Sequence, residues 1–428
     1  MRYSIPYGKS KLTFEAPEER VIFTGEMRAI PKLNDIEASL IQAIDNPIGA
    51  QPLRMLAKDK KNIVFLIEDG TRDTPLSIMM PVITDYLNRH GVPDCAMSFL
   101  TAPGTHRVMT DEEIIEKLGP DMVRRFTIRQ HDANIASDMK DLGTVSTGDY
   151  TIPVHVNKYA LEADLLIGLG NIVPHSDAGF SGGAKILQPG VCDFVTTSAT
   201  HAAAGFCPDI PLGMVEGNPC RRGIEEVAKK ANLAFIINVV KNYNNEVAGI
   251  FAGDFLSAHR EGVKLARESF KVSLPKLADI VIVSSSPADL DYWQAEKGVT
   301  SAYFAVKEGG IIIFVSPCFE GLAHNHPRFR EWLSLPLEET LKRLRQASPE
   351  DTEVDIISAV LAVCNSRVRN RARIFSVSEG LHPEDIEAMQ YTPFPNIEAA
   401  LSEALAQIPQ ATIGILPKGG ISLPILES

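Results

Sequence analysis

Short, mostly apolar runs recur at residues 63–67, 96–100, 165–169 and 234–240, most of them running into turns rich in glycine, proline or acidic residues. Continuous apolar runs bounded in this way read as strands covered on both faces. The segments between them carry helical periodicity, and the alternation predicts an α/β fold built on mixed or parallel sheets. Residues 257–270 read as an amphipathic helix. Beyond it, strands at 278–285 and 310–316 flank a helix at 291–306, a unit suited to a right-handed parallel crossover. Helices at 354–363 and 385–389 and strands at 373–378 and 411–416 complete the pattern, while residues 1–40 read as a small β-rich segment. The expected organisation is two α/β lobes around an interdomain cleft: an N-terminal domain at 1–255, a linker helix at 256–275 and a C-terminal domain at 276–428.

The strand ends carry the chemistry. After 165–169 comes His175-Ser-Asp-Ala-Gly-Phe-Ser-Gly-Gly-Ala-Lys185, and then His201. Ligands bind at the carboxyl edge of open α/β sheets, and Gly179, Gly182 and Gly183 would let backbone amides approach an anion there. Lys185 would act as a point charge, or as a nucleophile if its pKa were lowered. A nucleotide P-loop is excluded, because Ala184 separates Gly183 from the lysine and Ile186 replaces the hydroxyl. The 63–67 strand runs into Glu68-Asp-Gly-Thr-Arg72, where Asp69 and Thr71 can take hydrogen bonds and Arg72 offers a planar fork. Thr74-Pro75 resembles a helix N-cap with proline at the first helical position. A third strand end delivers Gly-Thr-His106-Arg, with Thr110 to Glu113 opening a helix as a capping box. A lone histidine is more often structural than catalytic. Two of them on equivalent turns with an arginine and a lysine suit proton transfer beside an anion.

Composition narrows the classes. A net charge of −12 over 428 residues argues against nucleic-acid or anionic-membrane binding through bulk electrostatics. No apolar run reaches the roughly 20 residues of a membrane span, and no secretory leader is legible. The cysteines Cys95, Cys192, Cys207, Cys220, Cys318 and Cys364 lack close pairing, which fits reduced thiols and a cytoplasmic location. Cys192 and Cys207 flank His201 but read as core thiols. His324 and His326, near Cys318, read as a surface loop rather than a zinc site, and the basic stretch 367–373 reads as a solvated helix end.

Taken in order, the 69–72 turn, Gly-Thr-His106-Arg, Pro174-His175 with Gly179-Phe-Ser-Gly-Gly-Ala-Lys185, His201, Gln294 with Lys297 and Leu416-Pro-Lys-Gly-Gly-Ile-Ser-Leu-Pro424 resemble the catalytic subunit of the lactate racemase family. The resemblance runs from the first strand to the carboxyl terminus. It implies an isomerase, a racemase or epimerase of a 2-hydroxy acid, that uses a nickel-pincer nucleotide. This is a pyridinium mononucleotide holding nickel between sulfur and carbon donors, and proteins that synthesise it would be partners. Lys185 matches the lysine that tethers the cofactor and His201 the protein ligand to nickel; imidazole suits that metal. His106 and His175 match paired histidines that exchange the hydroxyl proton, one for each face of the reacting carbon. Arg72, Gln294 and Lys297 match substrate positions, while Asp69, Gly70, Thr71, Arg72, Ser181, Gly182 and Gly183 complete the cofactor cradle.

The chemistry is coherent with that assignment. The hydrogen on the hydroxyl-bearing carbon is too weakly acidic to leave as a proton beside a carboxylate. Its removal as hydride onto a cofactor leaves a planar 2-keto acid open to reduction from either face. Two departures from the family pattern are legible: Gly70 stands where histidine is usual, and Ala184 where arginine often precedes the lysine. Loss of that arginine removes a cation that would contact cofactor phosphate or substrate, which points to a homologue acting on another 2-hydroxy acid. Two alternatives remain open. One is an NAD-dependent 2-hydroxy acid dehydrogenase, although Gly168-Leu-Gly170-Asn-Ile-Val173 lacks the third glycine of that fingerprint. The other is a non-catalytic binder of the nickel nucleotide.

Overall fold

In the computed structural model, which describes residues 1–148, 150–323 and 326–427, the apolar runs become strands of two six-stranded sheets. Every residue of Ile63–Ile67 and of Leu165–Asn171 is buried, as strands layered by helices on both faces must be. These two strands are parallel neighbours. Met97–Thr101 and Thr127–Gln130 extend the sheet on one side, and Phe235–Lys241 with antiparallel Val247–Gly253 on the other. Chain order therefore reverses between Ile63–Ile67 and Leu165–Asn171, and the crevice beyond their carboxyl ends is a topological switch point, where ligands bind in such sheets. The turns that begin at Glu68 and Ile172 leave from that crevice.

The second sheet is parallel throughout, in the order Thr392–Pro393, Ala372–Val377, Val306–Val315, Ala278–Ser284, Ile413–Leu416, Val21–Thr24. Its last strand comes from the amino-terminal segment, since Val21–Thr24 joins this sheet and not the one built from the rest of residues 1–255, while Arg2–Tyr7 and Ser10–Glu15 form a two-stranded sheet of their own. Val21–Thr24 covers the otherwise open edge of Ile413–Leu416. The hairpin Arg2–Tyr7 with Ser10–Glu15 packs Ile5, Tyr7 and Phe14 against Ile280, Ile313 and Val377. Periodicity announces such strands but does not say which sheet they join.

The helix Ser257–Phe270 forms where expected, burying Ala258, Val263 and Phe270 on one face. It leads into Lys271–Leu274, which pairs with Leu423–Leu426. One apolar seam runs through both lobes, gathering Leu66 and Leu166 of the first sheet with Val283 and Phe314 of the second. Across that seam Phe194–Gly205 packs on Ile356–Arg371.

Local chemistry differs from expectation in four places. Thr74 does not cap a helix; its hydroxyl donates to buried Glu68, and the helix begins at Leu76 behind Pro75. Thr110 does form the capping box with Glu113. The basic stretch is only partly solvated: Arg373 is exposed, but Arg367 donates to the carbonyls of Gly205 and Cys207, Arg369 to those of Leu333 and Leu335, and Arg371 to that of Val306. His326 is buried rather than on a surface loop, and His324 lies outside the described residues. A twisted ribbon, Met139–Ser146 with Thr151–Asn157, has no counterpart in the sequence reading. All six cysteines are free, and all but Cys95 are buried. Among the described residues no helix is long and apolar enough to cross a membrane.

Candidate active site

A cavity of about 1070 Å³, counting the part open to solvent, lies between the lobes. Its size suits a small-molecule site. Asp69, Arg72 and His106 reach it from the ends of Ile63–Ile67 and Met97–Thr101, His175, Ser181, Gly182 and Lys185 from the glycine-rich turn, and His201 from the helix Phe194–Gly205. Gln294 and Lys297 reach it from the other lobe, on the helix Tyr292–Tyr303. Gly70, Thr71 and Gly183 lie outside its lining. Gly70 and Thr71 are exposed, and the Gly183 amide is turned to Asn238 Oδ1 at 2.7 Å.

The two strand-end histidines differ in what they present. His106 Nδ1 lies 2.8 Å from Asp69 Oδ2, a contact that selects the tautomer with the proton on Nδ1 and the lone pair on Nε2. The other Asp69 oxygen accepts from the Thr71 amide and hydroxyl, at 3.1 and 2.6 Å. Burial pushes the Asp69 carboxyl up, but the hydrogen bond and charge of His106, with Arg72 and Thr71, outweigh it and hold the group at about 2. Asp69 is thus the carboxylate that fixes this imidazole's tautomer, a role that residue spacing alone did not reveal. His175 Nδ1 instead accepts the backbone amides of Asp177 and Ala178, at 3.1 and 3.4 Å, which leaves its hydrogen on Nε2. Burial, with Lys185, Lys297 and Arg72 nearby, holds His175 well below its usual pKa and therefore neutral.

Cations converge on the same space. Burial lowers Lys185 to about 8, with Arg221 and Arg72 adding repulsion, so its amine is nucleophilic near neutral pH. Burial also lowers Lys297 to about 7, with Arg72 and Lys185 beside it, and its Nζ donates to Gln294 Oε1 at 2.6 Å. Desolvated cations that destabilise one another in this way favour an anionic ligand between them. His201 donates Nδ1–H to the Thr197 carbonyl at 2.8 Å, leaving Nε2 free, and burial followed by Lys185 lowers it to about 4. A neutral imidazole with its other nitrogen held by a backbone carbonyl is the arrangement of a metal-ligating histidine. Among the described residues no cluster of three or more histidine, cysteine or carboxylate side chains could hold a metal alone. This donor set fits a metal that arrives inside an organic cofactor. It also fits an anionic nucleotide that a lysine could attach.

Two lining carboxyls had no signal in the sequence. Asp177 is buried, with Oδ1 unpartnered, and burial raises its pKa against the pull of Lys185 and Lys297. Glu296 is raised to about 7 by burial and accepts from Thr300. Arg221 was likewise invisible to motif reading. Fully buried, it donates to the carbonyls of Ala178, Phe180 and Gly182 and so clamps the glycine-rich turn. His259 Nε2 meets the Ser181 carbonyl at 2.9 Å, and a Cβ on Gly183 would come within 2.8 Å of the same ring. Replacing Arg221 by methionine removes its hydrogen bonds to three buried carbonyls, of which those of Ala178 and Gly182 keep a backbone amide partner, and is expected to destabilise the protein by about 3 kcal/mol. The readout is a fall in thermal midpoint, and an unchanged midpoint would discount the clamp.

The dehydrogenase alternative finds no support in the backbone. Leu165–Asn171 leads into the two-residue strand Pro174–His175, not into the helix whose N-terminus a dinucleotide pyrophosphate requires.

Residues 7–210 match the lactate racemase N-terminal domain and residues 274–424 the lactate racemase C-terminal domain. The chain is 34% identical to the lactate racemase of Thermoanaerobacterium thermosaccharolyticum and 32% identical to that of Lactiplantibacillus plantarum, over 97% of each chain in both cases. The structure of the lactate racemase apoprotein from Thermoanaerobacterium thermosaccharolyticum superposes with a TM-score of 0.89 at 32% identity, covering 99% of this chain and all of that one. A Thermotoga maritima protein at 20% identity and a TM-score of 0.71 shares the fold. The chain therefore belongs to the lactate racemase family and is an isomerase.

Proposed function

We propose that this enzyme interconverts the enantiomers of a 2-hydroxy acid with a nickel-pincer nucleotide bound between its lobes. The observation that carries the reading is one cavity in which a carboxylate-oriented imidazole, a second neutral imidazole, a nucleophilic lysine, a metal-competent histidine and paired cations all converge. The chemistry such a cofactor supplies is reversible acceptance of hydride at an electrophilic pyridinium carbon.

The protein's own groups do the rest. Lys185 would attach the nucleotide and His201 would offer Nε2 to its nickel. Arg72, Lys297 and Gln294 would hold the substrate carboxylate and so orient its reacting carbon. His106 Nε2 would take the hydroxyl proton of one enantiomer, with Asp69 stabilising the imidazolium. His175 would hold its Nε2–H against the oxygen on the opposite side. For the other enantiomer the roles exchange, which requires His175 to adopt its Nδ1–H tautomer and release the amides of Asp177 and Ala178. Division of the chain at the helix Ser257–Phe270 into cofactor and substrate-closing lobes belongs to the same proposal.

The test is reconstitution with the nickel nucleotide, followed by incubation with each pure enantiomer of a panel of 2-hydroxy acids. Polarimetry should show decay to zero rotation from both sides without added NAD. Stoichiometric nickel with no loss of rotation would favour the non-catalytic binder.

A further inference from the structure

The cavity has one wall that the proposed chemistry does not use. Trp293 lines it, with its ring flat on the His326 imidazole, centroids 3.7 Å apart and planes at 3°. Phe329 supports Trp293 edge-on at 5.0 Å. His326 Nδ1 in turn lies 3.1 and 3.3 Å from the two carboxylate oxygens of Asp355. Asp355 caps the helix Ile356–Arg371, accepting from the Ser358 amide at 3.3 Å. Ile357 and Leu361, spaced i and i+4, share one face of that helix and also line the cavity. Indole, imidazole, carboxylate and helix are thus joined by stacking and hydrogen bonds, and the residues of this unit that line the cavity are Trp293, Ile357 and Leu361.

Charge limits what can lie against it. Among the described lining residues the lysines and arginines are Arg72, Lys185 and Lys297, and the carboxyls are Glu68, Asp69, Asp177 and Glu296. With Lys185 given to the cofactor, Arg72 and Lys297 serve one carboxylate, and a second would find no further lysine or arginine among the described lining residues to offset its desolvation.

We infer that the preferred substrate is a monocarboxylic 2-hydroxy acid whose substituent is apolar and larger than methyl, seated against Trp293, Ile357 and Leu361. This rests on the racemase reading above and narrows its substrate class. Each methylene buried in such a pocket is worth about tenfold or more in kcat/KM.

The experiment compares lactate, phenyllactate and malate on the nickel-loaded enzyme. Phenyllactate should exceed lactate by at least about tenfold in kcat/KM, with malate lowest. Trp293→Ala should lower kcat/KM for phenyllactate by at least about tenfold, and by more than it lowers that for lactate, so that the two fall within about threefold of each other. If Trp293→Ala fails to fold, Leu361→Ala serves, with a smaller loss in the same direction.

A binding readout separates the two claims. The chain holds two tryptophans, Trp293 and Trp332, and Trp332 donates its indole hydrogen to the Val354 carbonyl. In Trp332→Phe protein the emission comes from Trp293 alone, and phenyllactate should quench it at lower concentration than lactate. Lactate preferred or equal to phenyllactate in both assays overturns the inference. No turnover of any acid, with selective quenching by phenyllactate, overturns the racemase reading and leaves the apolar pocket standing. No selectivity in quenching and no turnover overturns both.

Discussion

Replacing His106 by glutamine is expected to lower enantiomer interconversion by roughly 10²–10⁴-fold, the span that loss of a positioned general base produces, while nickel content stays at the level of the parent enzyme. Glutamine retains length and a hydrogen bond to Asp69 but offers no lone pair of comparable basicity. The imidazole is only useful in one tautomer, and Asp69 selects it through the 2.8 Å contact to Nδ1. Asp69→Asn should therefore lose most of the same factor, because an amide NH₂ turned towards Nδ1 favours the opposite tautomer. Both variants are read by polarimetry together with metal analysis, and a His106→Gln enzyme within tenfold of the parent would remove this histidine from the mechanism. The sign of the pH effect is fixed by Asp69. Its folded pKa, about 2, lies below the ordinary 3.8. Its contribution to stability is thus complete above pH 3.8 and is lost as pH falls through about 2. Acid loss of activity at pH 5–6 would have to come from another group.

The strands that build the site were legible because each is a buried run with a polar turn at its carboxyl end. Ile63–Ile67, Leu165–Asn171 and Ala278–Ser284 follow hydrophobicity almost residue for residue. Gathering of His106, His175 and Lys185 into one cavity also followed from placing their turns at one sheet edge, whereas His201, on a helix, was legible only through the family resemblance. What stayed hidden is non-local. Val21–Thr24 is a short run with no mark of its partner, and only the tertiary fold places it beside Ile413–Leu416. Arg221, Arg367 and Arg369 look like surface charges in sequence, yet each is spent on carbonyls of a distant loop. His326 and Asp355 are widely separated in sequence, so nothing linear joins them to Trp293. Thr74 misled for the opposite reason: a local capping pattern gave way to a buried carboxyl, Glu68, that needed a donor.

His201→Ala is expected to produce a folded protein that keeps the nucleotide but is depleted of nickel and has lost interconversion. The argument is geometric before it is electrostatic. His201 lines the cavity from Phe194–Gly205 with its Nδ1–H fixed by the Thr197 carbonyl, which leaves Nε2 as the ring nitrogen available to a ligand. Burial, and then the charge of Lys185, keep the ring neutral at pH 7, so no proton competes for that lone pair. Under the proposed function its loss removes the donor the protein would add to the nickel, and no cluster of three or more ligating side chains among the described residues could replace it. Losing a single orienting partner of a ligand costs about 10–100-fold in affinity, and losing the ligand itself should exceed that. Lys185→Ala separates attachment from coordination: mass spectrometry of the denatured protein should lose the covalently bound nucleotide, while His201→Ala should retain it. Metal analysis after dialysis is the deciding measurement. Should His201→Ala protein hold full nickel through dialysis, His201 is not the ligand and the assignment falls.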